Sequence, residues 1–470
     1  MKEDTFFGVK PNVSIRSLFA AKDMTVGRPW KRIMEFSVPM LLGNFAQQLY
    51  NTADSIIVGK FVGDNALAAV GSAMPILNLL LALFVGISTG AGIVVSQSFG
   101  ARDRDGLTKA VGNCIALSAL ATLLIMILGP MVTRPLLTLL GTPDSIIDWC
   151  AAYLNIYFIG IVGFFFYNML SGVLRGLGDS VSALGFLLLA AALNILLDLW
   201  FVRSMGVAGV ALATVISQGI SAVFCYIKLA KMGDLFDLGL KTMKLIPSVA
   251  GRILRIGIPS GITQTIMATA GMVVLNLTNA MGETVIACNV IVMRVDGFAM
   301  LPNMTFGQAM SVYTGQNVGA GKYDRVHAGV KQGGFIAAAF STAITLILLF
   351  LSPVLFGFFT KTPELIDLAV RMIRIMAVGY ICISVTQVLG GVMRGAGDTV
   401  SPMWISIIST IVIRVPTAYI LAHLTKSAEF PHGQPIALFG SLMISWVLGM
   451  VLSIIVFAIG KWKKKMLTLA

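Results

Sequence analysis

The stretch 174–202, LRGLGDSVSALGFLLLAAALNILLDLWFV, joins a glycine-containing turn to an apolar run of membrane-spanning length, and Asp198 lies near the far end of that run. A second stretch, 393–421, reads MRGAGDTVSPMWISIISTIVIRVPTAYIL and opens with the same RGxGD turn. The turn aspartates, Asp179 and Asp398, are 219 residues apart. In each turn glycine permits a tight reversal and the aspartate can cap the next helix. We favour a structural turn over a ligand site, repeated in two halves of the chain.

The duplication extends beyond these turns. Gln97 and Gln316 are also 219 residues apart, and Pro39 and Pro259 are separated by 220, so the halves differ by almost no insertions. Of the 470 residues, 57% are hydrophobic and 12% are charged, against about a quarter charged in a soluble domain. Many apolar segments reach the roughly 20 residues that a helix needs to cross a bilayer. The composition therefore predicts an all-α polytopic membrane protein.

The apolar segments form two sets of six. We predict twelve transmembrane helices in two pseudo-symmetric six-helix bundles. The predicted divisions are an N-terminal segment at 1–32, an N-lobe at 33–230, a linker at 231–250, a C-lobe at 251–460 and a basic tail at 461–470. The predicted helices are 33–59, 66–98, 107–132, 146–173, 181–202, 206–230, 253–280, 284–316, 328–357, 365–392, 400–422 and 435–460.

Lysine and arginine are distributed unevenly between the two sides of this arrangement. The termini and every second loop hold 25 of them, whereas the opposite loops hold only five, at positions 60, 134, 203, 361 and 426. Basic residues accumulate on the cytoplasmic side of a membrane, so both termini are expected there. The net charge of +13 then reflects topology, and no nucleic-acid partner is expected. No cleavable signal peptide is visible, and a multi-pass protein of a bacterial inner (plasma) membrane is expected.

Six helices per half is an even number, so both halves cross the membrane in the same direction. Parallel repeats of this kind occur in transporters, where the halves rock about a binding site between them. Alternating access is therefore the expected working principle.

Ionisable groups deep inside apolar runs are costly unless they are paired or functional. In the first half these are Asp54 and Asp198. At about 1.5 Å per residue, each lies about 30 Å along its helix from the cytoplasmic end, and Thr214 lies about 12 Å from the outer end of the next helix. Asn194 precedes Asp198 by four residues and shares its helix face.

These four side chains are expected to converge in the outer half of the first bundle. Two carboxylates, an amide oxygen and a hydroxyl can coordinate Na⁺, with Asp54, Asn194 and Asp198 as ligands, or hold an exchangeable proton, because burial favours the neutral acid. We favour this cation-coupling reading over a hydrogen-bonded polar knot or a carboxylate at the lipid headgroups.

The second half carries a different set of charges. The position of Asp198 is taken by Thr417, while Arg294, Asp296 and Arg414 are new. Asp296 and Arg414 reach similar depths, and an internal salt bridge between them is preferred over direct contact with a substrate. If they do face a cavity, they are candidates for substrate contact together with Arg294.

Further candidates for a substrate cavity are polar, aromatic and methionine side chains within the apolar runs. Methionine is adaptable and suits varied ligands, although ordinary packing is the commoner role for each of these residues. The candidates are Gln47, Tyr50, Asn51, Phe165, Gln264, Met293 and Met304.

An enzymatic site is not expected. The five cysteines lie in or beside apolar runs without CxxC spacing, which is typical of buried thiols. His327, His423 and His432 fall in or near predicted loops and form no ligand pattern. We therefore expect no catalytic residues and no cofactor apart from a coupling ion.

With the duplication and the twelve spans, several motifs give the chain a family resemblance. They are FSVPMLLGNFAQQLYNTADSIIVG, SQSFGARD with its echo GQNVGAGKYD, the paired RGxGD turns and NILLD. Over residues 30–460 the chain resembles the multidrug and toxic compound extrusion (MATE) transporters. The resemblance implies a monomeric exporter of amphipathic, often cationic compounds, driven by inward Na⁺ or H⁺.

Family members with an acidic N-lobe site place it on the first and fifth helices, which this resemblance matches to Asp54, Asn194 and Asp198. Members with acids on the seventh and tenth helices find no match here. Two alternatives remain: a lipid-linked oligosaccharide flippase of the same superfamily, which requires a more basic cavity, and a membrane-embedded enzyme.

Overall fold

The computed structural model describes residues 20–61, 64–428 and 430–467, and within them the side chains other than 51–70, 72, 75, 268, 270, 272 and 465–467. Every regular element in these ranges is helical, which confirms the all-α polytopic fold class. The helices are α1 Pro29–Phe61, α2 Asp64–Gly100, α3 Arg104–Leu139, α4 Asp144–Ile159, α5 Ile161–Gly176, α6 Ser180–Met205, α7 Val207–Ala230, α8 Pro247–Ala280, α9 Glu283–Gly319, α10 Tyr323–Gly357, α11 Pro363–Ala377, α12 Gly379–Gly395, α13 Val400–Ser406, α14 Val415–Leu424, α15 Ile436–Ile459 and α16 Lys461–Leu467.

These helices correspond in order to the predicted spans. In the described part of the chain, eight helices or continuous helical stretches are long and apolar enough to cross a membrane, and two bent helix pairs raise the number to ten. The two other predicted spans correspond to α1 and α8, which include side chains outside the described set. The tail predicted at 461–470 contains the short helix α16.

The fourth and tenth predicted spans are not continuous helices, which corrects the sequence-based prediction. The chain bends by 51° between α4 and α5 and by 43° between α11 and α12. Gly160 lies at the first bend and Gly379 at the second, at equivalent positions of the two halves. A side chain on Gly160 would collide with Val215, and one on Gly379 would come within 2.5 Å of Trp446. The bends therefore let neighbouring helices pack closely.

The eleventh predicted span also departs from a uniform α-helix. Between α13 and α14 the chain forms a π-helical segment, Ile407–Arg414. Such segments are rare, and they frequently occur at functional sites. Arg414 is the last residue of this segment.

The two RGxGD turns have the predicted structure. Gly178 and Gly397 adopt φ angles of 82° and 89°. The Asp179 carboxylate accepts hydrogen bonds from Ser182 N at 2.9 Å and from Ser182 Oγ at 2.7 Å. Asp398 accepts the same two bonds from Ser401, at 3.3 and 2.6 Å. Burial raises the pKa of Asp179, although its bonds from Ser182 and the charges of Lys228 and Lys22 oppose this rise.

The chain divides into two compact units whose boundaries differ from those of the duplicated halves. The first unit comprises Glu35–Gly261 with the described residues up to Thr25, and the second comprises Val26–Met34 and Ile262–Ala470. The beginning of α8 therefore belongs to the first unit, and the beginning of α1 belongs to the second.

A repeated hydrogen bond fixes each of these exchanged helix ends. In the first unit, Ile246 N at the start of α8 donates to Asn113 Oδ1 on α3 at 2.8 Å. In the second unit, Trp30 N in α1 donates to Gln332 Oε1 on α10 at 3.0 Å. Asn113 and Gln332 are 219 residues apart, so both halves use the same anchoring position.

The predicted linker at 231–250 is packed against the first unit. Phe236 is fully buried, and Asp237 N donates to Thr108 Oγ1 on α3 at 3.0 Å. The five cysteines are unpaired and buried, as their apolar surroundings predict; they are Cys114, Cys150, Cys225, Cys288 and Cys382.

Candidate functional site

The acidic site of the first unit is built on a tight helical hairpin. Gly206 alone separates α6 from α7, and it adopts φ 56° and ψ −131°, a conformation that other residues rarely reach. Asp198 lies eight residues before this glycine and Thr214 lies eight residues after it. At about 1.5 Å per residue, both lie about 12 Å from the turn. The hairpin therefore brings a carboxylate and a hydroxyl to the same depth.

Asn194 connects the two helices within this hairpin. With its amide nitrogen facing Asp198, Asn194 donates to Asp198 Oδ2 at 2.8 Å. The Asn194 amide oxygen then accepts from Thr214 Oγ1 and from Thr214 N, each at 3.1 Å. Asp198 is fully buried and Asn194 is 1% exposed. The structure thus joins three of the four predicted coupling residues in one hydrogen-bonded group.

This arrangement limits what the group can do. A buried carboxylate in an apolar bundle must be neutralised by a proton, a cation or a basic partner. An amide and a hydroxyl stabilise the carboxylate but cannot neutralise its charge. The fourth predicted residue, Asp54, lies on α1, and its side chain is outside the described set, as is that of Asn51.

The second unit holds a different acidic group, on α9. Tyr380 Oη of α12 donates to Asp296 Oδ1 at 2.7 Å. Arg414 acts on Asp296 electrostatically, but among the described residues no contact within 4.0 Å pairs the two charges. The expected salt bridge is therefore wrong for this part of the chain, because the tyrosine hydroxyl takes the position next to the carboxylate.

The remaining candidates for substrate contact are scattered. Phe165 is 1% exposed and its ring stacks on Phe84 at 3.6 Å, so it belongs to the core of the first unit and not to a cavity wall. The exposed candidates are Gln47, Gln264 and Arg294, and the half-buried ones are Tyr50, Met293 and Met304. The structure does not bring these residues into one cluster within either unit.

Sequence reasoning missed Tyr380 and Ser384 of the second unit. Tyr380 is fully buried, and Ser384 is 1% exposed with no hydrogen-bond partner for Oγ among the described residues. They are four residues apart on α12 and share a helix face. The available signal was a tyrosine hydroxyl inside an apolar run, since a buried hydroxyl requires a partner.

The fold and these sites define a class: duplicated, polytopic helical membrane proteins that carry acidic groups inside their bundles. The family model MatE matches residues 39–200 and again 259–420, one match in each half of the chain. The chain therefore belongs to the MatE family.

Curated relatives and solved structures match most of the chain. The probable multidrug resistance protein YpnP of Bacillus subtilis is 30% identical over 84% of this chain and 89% of its own length. The multidrug export protein MepA of Staphylococcus aureus is 25% identical over 83% of this chain and 87% of its own length. An outward-facing multidrug resistance MATE transporter superposes with a TM-score of 0.86 over 96% of this chain and 99% of its own, at 24% identity, and so supports the fold alone.

Proposed function

We propose that this protein is a multidrug efflux transporter that exports amphipathic, often cationic compounds in exchange for inward H⁺ or Na⁺. The observation that carries the coupling mechanism is the buried Asp198 carboxylate, held by Asn194, which is in turn held by Thr214. The names of its relatives, which include multidrug resistance and multidrug export proteins, support the export of drugs.

Alternating access provides the transport cycle in this proposal. A cation that enters from outside neutralises Asp198, with Asp54 as the second acid of the site. Neutralisation removes the charge that the hydrogen bond from Asn194 stabilises, so the packing of α6 against α7 changes between the two states. That change weakens drug binding in the outward-open state and returns the protein for another cycle.

The proposed setting is a bacterial plasma membrane, with a single chain as the working unit and both termini in the cytoplasm. The uneven distribution of lysine and arginine supports this orientation. The chemistry is transport without a bound cofactor. The substrate candidates at Asp296 and Arg414 belong to this proposal as well, with Met293 and Met304 beside them as adaptable apolar contacts.

The test is the efflux of ethidium from proteoliposomes under an inward Na⁺ gradient and, separately, under an inward H⁺ gradient. Asp198→Asn removes the titratable charge at nearly constant volume. We expect it to reduce gradient-driven efflux at least tenfold, and Asp54→Asn to act in the same way. Asp367→Asn, an exposed acid on α11, is the matched control and should transport like the unaltered protein.

Full gradient-driven transport by Asp198→Asn would refute the coupling role of this site. Absence of ethidium efflux from the unaltered protein under both gradients would refute the exporter itself. In that event a lipid-linked oligosaccharide is the next substrate to assay, in the same vesicles.

A further inference from the structure

The second unit contains a group of polar side chains that has no counterpart in the first. Its members are Asp296 on α9, Tyr380 and Ser384 on α12, and Arg414 at the end of the π-helical segment. The equivalent positions of the first half hold Leu77, Ile161, Phe165 and Ile195. Three of these four hydrophobic side chains are at most 2% exposed. The packing that these positions require in one half has been replaced by polar chemistry in the other.

Such a replacement is costly without a function. Each polar group withdrawn from water must recover its lost hydrogen bonds, and here several groups do not recover them within the described residues. Arg414 Nε and Ser384 Oγ are buried without a hydrogen-bond partner. Asp296 accepts one hydrogen bond, at Oδ1, and it is half-buried. The group therefore retains unused hydrogen-bonding capacity around one carboxylate.

The geometry favours a proton over a metal ion as the exchangeable species. Arg414 interacts electrostatically with Asp296 from the neighbouring element, and a fixed positive charge opposes the binding of Na⁺ at the same carboxylate. Tyr380 donates a hydrogen bond to the charged form of the carboxyl. Arg294 is two residues away on the same helix and is exposed, so it does not share the face of Asp296.

We propose that Asp296 is a second proton-exchange site, in which Tyr380 and Arg414 stabilise the carboxylate and a proton displaces their hold on it. In the exchange step, the carboxylate accepts a proton from hydronium and water is released, with no other bond formed or broken. Protonation leaves Arg414 without an opposing charge and weakens the interaction with Tyr380 Oη. The second unit thereby acquires its own response to protons, separate from that of Asp198.

The first test uses pH-dependent infrared difference spectra of the reconstituted protein, which need no drug. We expect a protonated-carboxyl band that titrates between about pH 5 and pH 9, the range open to buried acids. This band is lost in Asp296→Asn and retained in Asp198→Asn and in the surface control Asp367→Asn. In Tyr380→Phe the band remains but titrates at higher pH, because the charged form has lost a hydrogen-bond donor.

The second test measures the ratio of protons to ethidium in proteoliposomes, and this part rests on the proposed function. Asp296→Asn should lower the ratio by one proton while transport continues, and Asp296→Glu should restore it. An unchanged band in Asp296→Asn, or an unchanged ratio, overturns the second site. If the unaltered protein exports no ethidium, the proposed function fails, and the infrared measurement still decides whether Asp296 exchanges a proton.

Discussion

At the scale of single residues, the glycine between α6 and α7 determines whether the acidic site of the first unit forms. Its φ of 56° with ψ of −131° lies outside the regions that side chains with a Cβ tolerate, and such a conformation costs about 1–3 kcal/mol for other residues. Asp198 and Thr214 stand at equal distances from it along their helices. A change in the turn therefore shifts the two side chains relative to each other.

We predict that Gly206→Ala lowers both stability and transport. The strain should cost about 1–3 kcal/mol, and the turn can relax only by moving α6 along α7. Thermal unfolding of the purified protein measures the first effect, and ethidium efflux measures the second. Gly185→Ala, also in α6 with nothing within 4 Å of the added Cβ, is the control and should change neither. Unaltered efflux in Gly206→Ala would show that the hairpin turn does not set the geometry of the site.

The two acidic groups differed in how far the sequence could predict them. Counting residues along the helices was enough to bring Asn194, Asp198 and Thr214 together, because they lie on adjacent helices joined by a single residue. The partner of Asp296 could not be found in this way, since Tyr380 is 84 residues away and follows a bend. Distance along a helix predicts depth, but the direction in which a side chain points depends on how the helices pack.

At the scale of helices, the crossing of α2 and α8 in the first unit depends on four glycines. Gly86 and Gly90 on α2 face Gly257 and Gly261 on α8, each pair spaced by four residues. Small residues at this spacing let helix backbones approach closely within a membrane. A Cβ on Gly90 would come within 2.6 Å of Gly257 N. The beginning of α8 is thus held in the first unit by close backbone packing as well as by Asn113.

We predict that Gly86→Ala destabilises the first unit by about 1–3 kcal/mol, the usual cost of overpacking. The added methyl group would collide with the Gly261 backbone, which has no flexible atoms to displace. Thermal unfolding in detergent measures the loss. Gly71→Ala on the same helix meets nothing within 4 Å and should behave like the unaltered protein. Equal unfolding temperatures for the two variants would mean that the helices separate at little cost.

Hydrophobic runs predicted where the helices lie, but not where they bend. The segments 146–173 and 365–392 are apolar throughout, so nothing in their hydropathy marks Gly160 or Gly379. Their equal spacing from each other was a visible signal, because a glycine retained at both positions of a duplication can mark a close approach of neighbouring helices. The π-helical segment had no comparable signal, since it arises from packing around Arg414 and neighbouring side chains.

At the scale of the whole molecule, the duplicated halves of the sequence and the compact units of the fold are not the same divisions. The exchanged beginnings of α1 and α8 mean that each unit contains a helix end from the other half. The sequence repeat predicted the two sets of helices, but not this exchange, because the anchors Asn113 and Gln332 become meaningful only once their partners are located. Each of these helices therefore links the two units covalently, so movement of one unit is felt in the other.

This connection, together with the proposed coupling, makes a quantitative prediction about binding. If the cation at Asp198 weakens drug affinity by some factor, the drug must weaken cation affinity by the same factor, because the two equilibria form one cycle. A factor of about 5–150 is typical of such coupling. The drug half is measured as the dissociation constant of tetraphenylphosphonium at low and at saturating coupling cation. The cation half is measured as the affinity for the cation with and without saturating tetraphenylphosphonium. The two factors should agree, and in Asp198→Asn both should fall towards one, whereas Asp367→Asn should preserve them. Equal drug affinities at all cation concentrations, in a protein that still transports, would show that the cation acts on the rate of the conformational change and not on drug binding.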